Sequence, residues 1–507
     1  MQEQAGWETR YAALRNRIIQ QRSPSGFVPA ILREAESNYV PIPISERLAQ
    51  CIWYDQRLKG AALRTTQGEP VRVLFQGWWN LESGPDFHHA TIQVGDTPAR
   101  TGGIEVHLRA DDWFAHGHDR DPGYNGVVLH VVLWQAGSER IAWTAGGEAL
   151  PQVVLEQQLE APLEALYDDL DLEAYPHHAS GHGGVCSPVL NRLPAAAITR
   201  LLREAGDERF ALKTRRFARW IHRAGAEQAF YEGWMEALGY KANKLPFRAL
   251  ARRVPLRQVL EHRAHAAALL FGVANFLPVA DGRAAEPASQ GYVKRLWNAW
   301  WKLRPEFAED ILPATAWRFH GLRPANHPHR RLGGAVALLK RQGNLLEKVL
   351  GAIESDGDPA RFFTRVRDEY WGEHFTLGGR RQARAGELIG EARAREMVAN
   401  IVLPFAAAYA EGTGDDALAE KVRARYAALR ALPSNSVLRL AGGQLFQSGP
   451  MARRLIRTAR EQQGLMQIFQ DFCLNDKSAC AQCQFAEMLE QWPAEIGPGI
   501  PPVKAVC

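Results

Sequence analysis

The side chains best suited to chemistry at neutral pH are concentrated between Gly84 and Trp134, in GPDFHHATIQVGDTPARTGGIEVHLRADDWFAHGHDRDPGYNGVVLHVVLW. Asp86 and Glu105 offer the hard oxygen ligands that Mg2+ or Mn2+ takes, with the Val106 carbonyl as a third and water completing an octahedron. Such an ion stabilises phosphoryl charge and activates water. His107 ionises near neutrality and can act as a general base, a water-positioning group or a ligand. The bland alternative for the acids is a solvated turn residue and a cross-strand pair of Glu105 with Arg109 or Arg72. Further on, His116, His118 and Asp121 have HxHxxD spacing, a donor set suited to Zn2+, Fe2+ or Mn2+. The same three residues can instead cap backbone around the turn Asp121-Pro122-Gly123-Tyr124-Asn125.

These groups need strands to hold them. Phe87 to Val94 reads as one strand, and a second has Ile104, Val106 and Leu108 alternating with Glu105, His107 and Arg109. Alternation puts Glu105 and His107 together on one face. Val127 to Trp134 is almost continuously apolar, as in a strand buried on both faces, with His130 as its polar interruption and, in this reading, a satisfied core residue. Upstream, Val71, Val73 and Phe75 alternate, and Ser45 to Leu58 (SERLAQCIWYDQRL) reads as a helix with an N-cap serine and Leu48, Cys51, Ile52 and Leu58 inward. Glu46 falls in its first turn, where a carboxylate also favours the helix dipole. Thr9 to Gln21 reads as a short amphipathic helix, broken by Ser23 to Gly26 and Pro29.

Gly84-Pro85-Asp86 followed by Glu105-Val106-His107 resembles the metal-dependent nuclease superfamily named for its PD-(D/E)XK motif. The resemblance spans residues 45 to 135 and implies a restriction-endonuclease-like core. In it Asp86 and Glu105 hold the metal, His107 stands where the family carries lysine, and Glu46 matches the acid many members place on the helix before the sheet. The chain as a whole resembles a bacterial family catalogued only as a domain of unknown function. That likeness is carried by the GPDF segment, GGIEVHLRADDWFAHGHDRDPGYN, VVLHVV, LGYKANKLPF, LRPANHPHRRL and FCLNDKSACAQCQF, and it implies no activity.

Residues 151–193 read as a connector with an acidic run, DDLDLE, and a Gly/His-rich boundary, HHASGHGGVCS. Residues 194–431 show helical spacing broken by Gly and Pro, which predicts an all-α domain rich in arginine. Arginine forks bind phosphate and tryptophans stack bases, so KTRRFARW with Trp220, and Trp297, Trp300 and Trp301, are candidates for nucleic-acid contact or for helix packing. Asn243 and Lys244 in LGYKANKLPF, and Arg323, Asn326, His327, Arg330 and Arg331 in LRPANHPHRRL, could line a phosphate groove or fix loop geometry.

The tail, 432–507, carries Cys473-x6-Cys480-x2-Cys483. Three thiols at this spacing point to a structural Zn2+, with Cys186 or His182 as the fourth ligand, or to a [4Fe–4S] cluster. Cys51 reads as core and Cys507 is terminal.

Composition sets the outer limits. The chain has 507 residues, 46% hydrophobic and 23% charged, as in ordinary globular proteins, which excludes disordered and collagen-like classes. A net charge of +5 permits a nucleic-acid partner without demanding one. No run approaches the ~18 apolar residues of a membrane span, and the N-terminus lacks the order of a secretory signal; with few cysteines, this predicts a cytoplasmic protein that has no membrane partner. The reading is therefore an α+β protein with a nuclease-like domain over 1–150. Its expected function is metal-dependent hydrolysis of DNA or RNA, with a zinc hydrolase using HxHxxD or a non-catalytic nucleic-acid-binding protein as alternatives.

Overall fold

A computed structural model describes residues 9–22, 44–59, 63–135, 141–177, 183–277, 286–364, 366–447, 449–474, 480 and 483–495. His182 and Cys507 lie outside these, as do the predicted breaker Ser23 to Gly26 and Pro29. The architecture is α+β, a mixed six-stranded sheet in the N-terminal part and many helices after it.

Two compact units form. One comprises 1–208, 434–457 and 461–507; the other comprises 209–433 with 458–460. The predicted connector therefore belongs to the first unit, and Gln152–Val154 within it is a strand of the sheet. The tail from Ser434 also returns to the first unit instead of standing by itself. Phe469, Phe485, Leu489 and Trp492 enter the same core as the sheet, Trp492 Nε1 donates to the Ala197 carbonyl at 3.1 Å, and Asp471 accepts from Tyr11 and Arg15 of the first helix. That helix, α1 (Arg10–Arg22), buries Tyr11, Leu14 and Ile18.

The next helix, α2 (Glu46–Tyr54), is shorter than its sequence pattern predicts. Gln56 adopts a positive φ of 50°, and Leu58 leaves the helix to bridge Leu159. Leu48, Cys51 and Ile52 are fully buried. The sheet follows: β1 (Val71–Phe75), β2 (Trp78–Trp79), β3 (Phe87–Val94), β4 (Arg100–Arg109), β5 (Val127–Trp134) and β6 (Gln152–Val154). Its order is β1-β3-β4-β5-β6, with β2 also paired to β3. β1, β3 and β4 run antiparallel in succession, while β4, β5 and β6 are parallel. A parallel pair needs a crossover; between β4 and β5 this is residues 110–126, with the short helix α3 (Asp112–Ala115) and a 3-10 turn at Pro122–Tyr124.

Strand periodicity then separates two environments. Ile104 and Val106 join the main core with α2, and Glu105 and His107 face the other way, beneath the crossover.

In the second unit the arginines are largely paired. Trp220 is 3% exposed, with the guanidiniums of Arg216 and Arg248 at 4.3 and 5.2 Å from its ring. Arg223 and Arg252 pair with Glu232 at 2.5 and 2.9 Å; Arg216 and Arg248 pair with Glu236. Trp300 is buried against Gly272, while Trp301 is exposed with Trp297 5.4 Å away.

Candidate metal centre under the crossover

Asp86 enters the site because the chain turns tightly before it. Pro85 lies against Gly103, where a Cβ would come 2.9 Å from the proline ring, so only glycine lets β4 approach this closely. The Asp86 carboxylate is buried and accepts from Gln50 Nε2 of α2 at 2.8 Å and from the Val106 amide at 2.8 Å. Its own amide donates to Glu105 Oε2 at 2.9 Å. The two acids are thus adjacent, as their strands predict. Burial, and then Glu46, raise the Glu105 carboxyl well above its ordinary range, which places Glu46 in electrostatic reach of the site.

The histidines form the denser constellation. His107, His116 and His118 each offer a ligand atom, all within 4.8 Å of one another. His107 Nε2 is 3.2 Å from His116 Nδ1 and 3.6 Å from Glu105 Oε1, and His118 Nε2 is 3.4 Å from that same oxygen. For metal–nitrogen bonds of ~2.0–2.1 Å, tetrahedral geometry separates ligands by ~3.3 Å; the His107–His116 separation matches this, and the third imidazole lies within 4.8 Å of both. His118 Nε2 is buried and makes no hydrogen bond, a costly state for a buried polar atom.

Tautomers can be followed outward from the site. Gln152 Oε1 accepts from His130 Nδ1 at 3.2 Å, so His130 Nε2 carries a lone pair and accepts from His107 Nδ1 at 2.9 Å. His107 Nε2 is then left unprotonated toward His116 and Glu105, in the way an outer hydrogen bond orients a ligating imidazole. Burial, then the neighbouring imidazoles, hold His107 well below its ordinary pKa. Burial also lowers His116, takes His118 down to about 4 and takes His130 to about 3. Neutral imidazole is the form that binds metal.

The crossover positions its share by packing. Trp113 is fully buried with its ring 5.2 Å from those of both His118 and His130, and Tyr124 stacks on His118 at 3.8 Å. Asp112 Oδ2 accepts from the Arg109 amide at 2.8 Å, closing the turn out of β4. His116 remains exposed and Glu105 buried, so the cluster opens to solvent on one side.

A family model described as "Protein of unknown function (DUF2851)" matches residues 46–434. The chain belongs to the DUF2851 family. The matched span of this DUF2851 protein contains the whole histidine and acid cluster and stops before the clustered cysteines. Comparisons with curated proteins and with solved structures returned no match.

For two sets of residues the structure favours the structural alternative. Asp121 Oδ1 accepts from the Gly123 amide at 2.8 Å, capping the 3-10 turn, and the ligand atoms within 4.8 Å of one another are those of His107, His116 and His118. Several residues offered for nucleic-acid contact hold framework. Asn243 clamps the Arg318 backbone with two 2.9 Å bonds. Arg330 is buried and donates to the carbonyls of Trp371, His374 and Gly386, and Arg331, also buried, donates to Leu388 and Asn326. Arg323 is exposed and Lys244 half-buried. Sequence reading passed over Gln50 and Gln152 and treated His130 as plain core; Gln50 lies one helical turn after Glu46, the only signal that could have drawn attention to it.

Proposed function

We propose that the chain is a metal-dependent hydrolase of phosphodiester bonds, with a first-row transition-metal ion held by His107, His116 and His118 and with Glu105 beside it as proton acceptor. What carries the reading is the convergence of three neutral imidazole donors, one of them buried without a hydrogen bond, next to a buried carboxylate. Three nitrogen ligands leave a fourth position for water or substrate, and a bound ion of this kind acidifies that water. Glu105 Oε1 is placed to take the proton, and its other oxygen is held by the Asp86 amide. The His130–Gln152 relay fixes His107.

The substrate class rests on the PD-(D/E)XK resemblance: a helix precedes three antiparallel strands, an insert and a parallel fourth, with acids on neighbouring strands. That same order favours a second reading, a Mg2+ or Mn2+ centre on Asp86 and Glu105 with Glu46 nearby. Metal analysis and hydrolysis of single- and double-stranded DNA and RNA under Zn2+, Mn2+ and Mg2+ separate the two. His116→Ala should lose both metal and activity, Glu105→Gln should keep the metal and lose activity, and Asp121→Ala should keep both. Mg2+-dependent cleavage that survives His116→Ala and disappears in Asp86→Asn would replace the first reading with the second. Binding without cleavage under every metal would overturn the enzyme reading altogether.

A further inference from the structure

The first unit holds a second ligand set, chemically unlike the imidazole cluster. Cys186 begins the short helix Cys186–Leu190 and is buried; this helix packs against both Ser436–Phe446 and Gln484–Glu495. A Cβ built on Gly184 would lie 3.2 Å from Cys480 Sγ and 3.4 Å from Cys186 Sγ, so two sulfurs more than 290 positions apart abut a single point. The Gly184 amide donates to the Gln444 carbonyl at 2.9 Å and keeps the loop there. Cys480 and Cys483 form a turn in which the Cys483 amide donates to the Cys480 carbonyl at 3.1 Å, with Cys480 at a positive φ of 62°. L-residues adopt that conformation at a cost. Cys473 ends a π-helical turn, Phe469–Cys473, and the Phe472 ring lies 5.0 Å from that of Phe485, two residues after Cys483. Cys473 and Cys483 pack at the edge of the same core as Cys186.

We propose that Cys186, Cys473, Cys480 and Cys483 form a thiolate metal centre that takes a thiophilic metal, either zinc or an iron–sulfur cluster, and so fastens the returning tail to the sheet-bearing unit. The chemistry is that of soft sulfur donors, which select these metals over Mg2+. Metal binding displaces the thiol protons, since the thiolate is the ligand. All four cysteines are free of disulfides. Among the described residues only the three imidazoles bring three ligand atoms within 4.8 Å. No three of the sulfurs lie mutually within 4.8 Å, and a single zinc would draw them to edges of ~3.8 Å.

Full-length protein purified with and without oxygen should contain metal that Cys480→Ser and Cys186→Ser remove and that His116→Ala, aimed at the imidazole cluster, leaves in place. Brown protein with iron and acid-labile sulfide identifies the cluster; colourless protein with zinc identifies the single ion. Because Cys186→Ser also perturbs a buried position, a second measurement uses wild type alone. A thiol reagent should modify Cys473, Cys480 and Cys483 slowly until a strong chelator is added, then rapidly. Prompt modification without chelator, or a metal content equal in wild type and Cys480→Ser, overturns the proposal. Neither result bears on the imidazole site, so the two assignments fail separately.

Discussion

The crossover over β4 and the arginine-rich helical unit are both dense in polar side chains, yet they use them oppositely. In the helical unit many charged side chains find partners: Arg330 gives its terminal nitrogens to main-chain carbonyls, and Glu232 and Glu236 each receive guanidinium groups. Under the crossover, three imidazoles and one carboxylate crowd together at 3.2–3.6 Å, a set of groups that can each serve as a metal ligand. A polar group whose bonds are satisfied inside the protein holds structure together. Several potential ligand atoms brought to one point are what a cation requires.

The largest effect that could break this contrast belongs to Arg330. Replacing it with methionine would strand the carbonyls of buried Trp371 and His374, at ~1–3 kcal/mol for each group left unsatisfied. The chemical denaturation midpoint of the protein should drop by an amount equivalent to several kcal/mol. Unchanged stability with weakened nucleic-acid binding would instead return Arg330 to the binding surface.

On the other side of the comparison, His130→Phe removes the acceptor that orients His107 while preserving the ring's bulk. Metal affinity, read by competition with a chromogenic chelator, should fall ~10–100-fold, as for outer-shell partners in general, and the fold should persist. A variant that binds metal as wild type does would show that the His107–His130 bond is only packing.

The smallest effect concerns acid. Burial alone would raise Glu236, but Arg216, Arg248 and Lys244 hold its carboxyl below the ordinary range. A carboxyl depressed in the folded state adds stability above its unfolded pKa of about 4.5 and loses it as pH falls through the folded value. The stability gap between wild type and Glu236→Gln should therefore be widest near neutrality and narrow below about pH 4.5. A gap that widens on acidification would mean the arginines do not stabilise the charge.

Much of the sheet was legible because short-range alternation decides it. Phe87–Val94 and Val127–Trp134 fall where their residues place them, and the shared face of Glu105 and His107 follows from strand period alone. The third imidazole of the site was not legible as such. His107 meets His116 and His118 only because the crossover folds back over β4, and Asp121, placed with them by spacing, is drawn off by a turn three residues later. Gln152 enters through a parallel pairing with His130, which no local pattern encodes. Arg330 and Arg331 look alike in a phosphate groove and in a loop clamp; burial distinguishes them, and burial is a property of the whole fold.

The division of the chain into units also sets an order in time. Residues 209–433 are inserted between parts of one compact body, so the sheet-bearing unit cannot close its core on Phe485 and Trp492 until the inserted stretch has left the ribosome. At ~5–20 residues per second of synthesis, the apolar faces of α1 and of Cys186–Leu190, which pack against Gln484–Glu495, wait on the order of tens of seconds for their covering residues. The inserted unit, contiguous apart from three residues, can mature in that interval. The nascent first half is thus the part of this protein most in need of a chaperone.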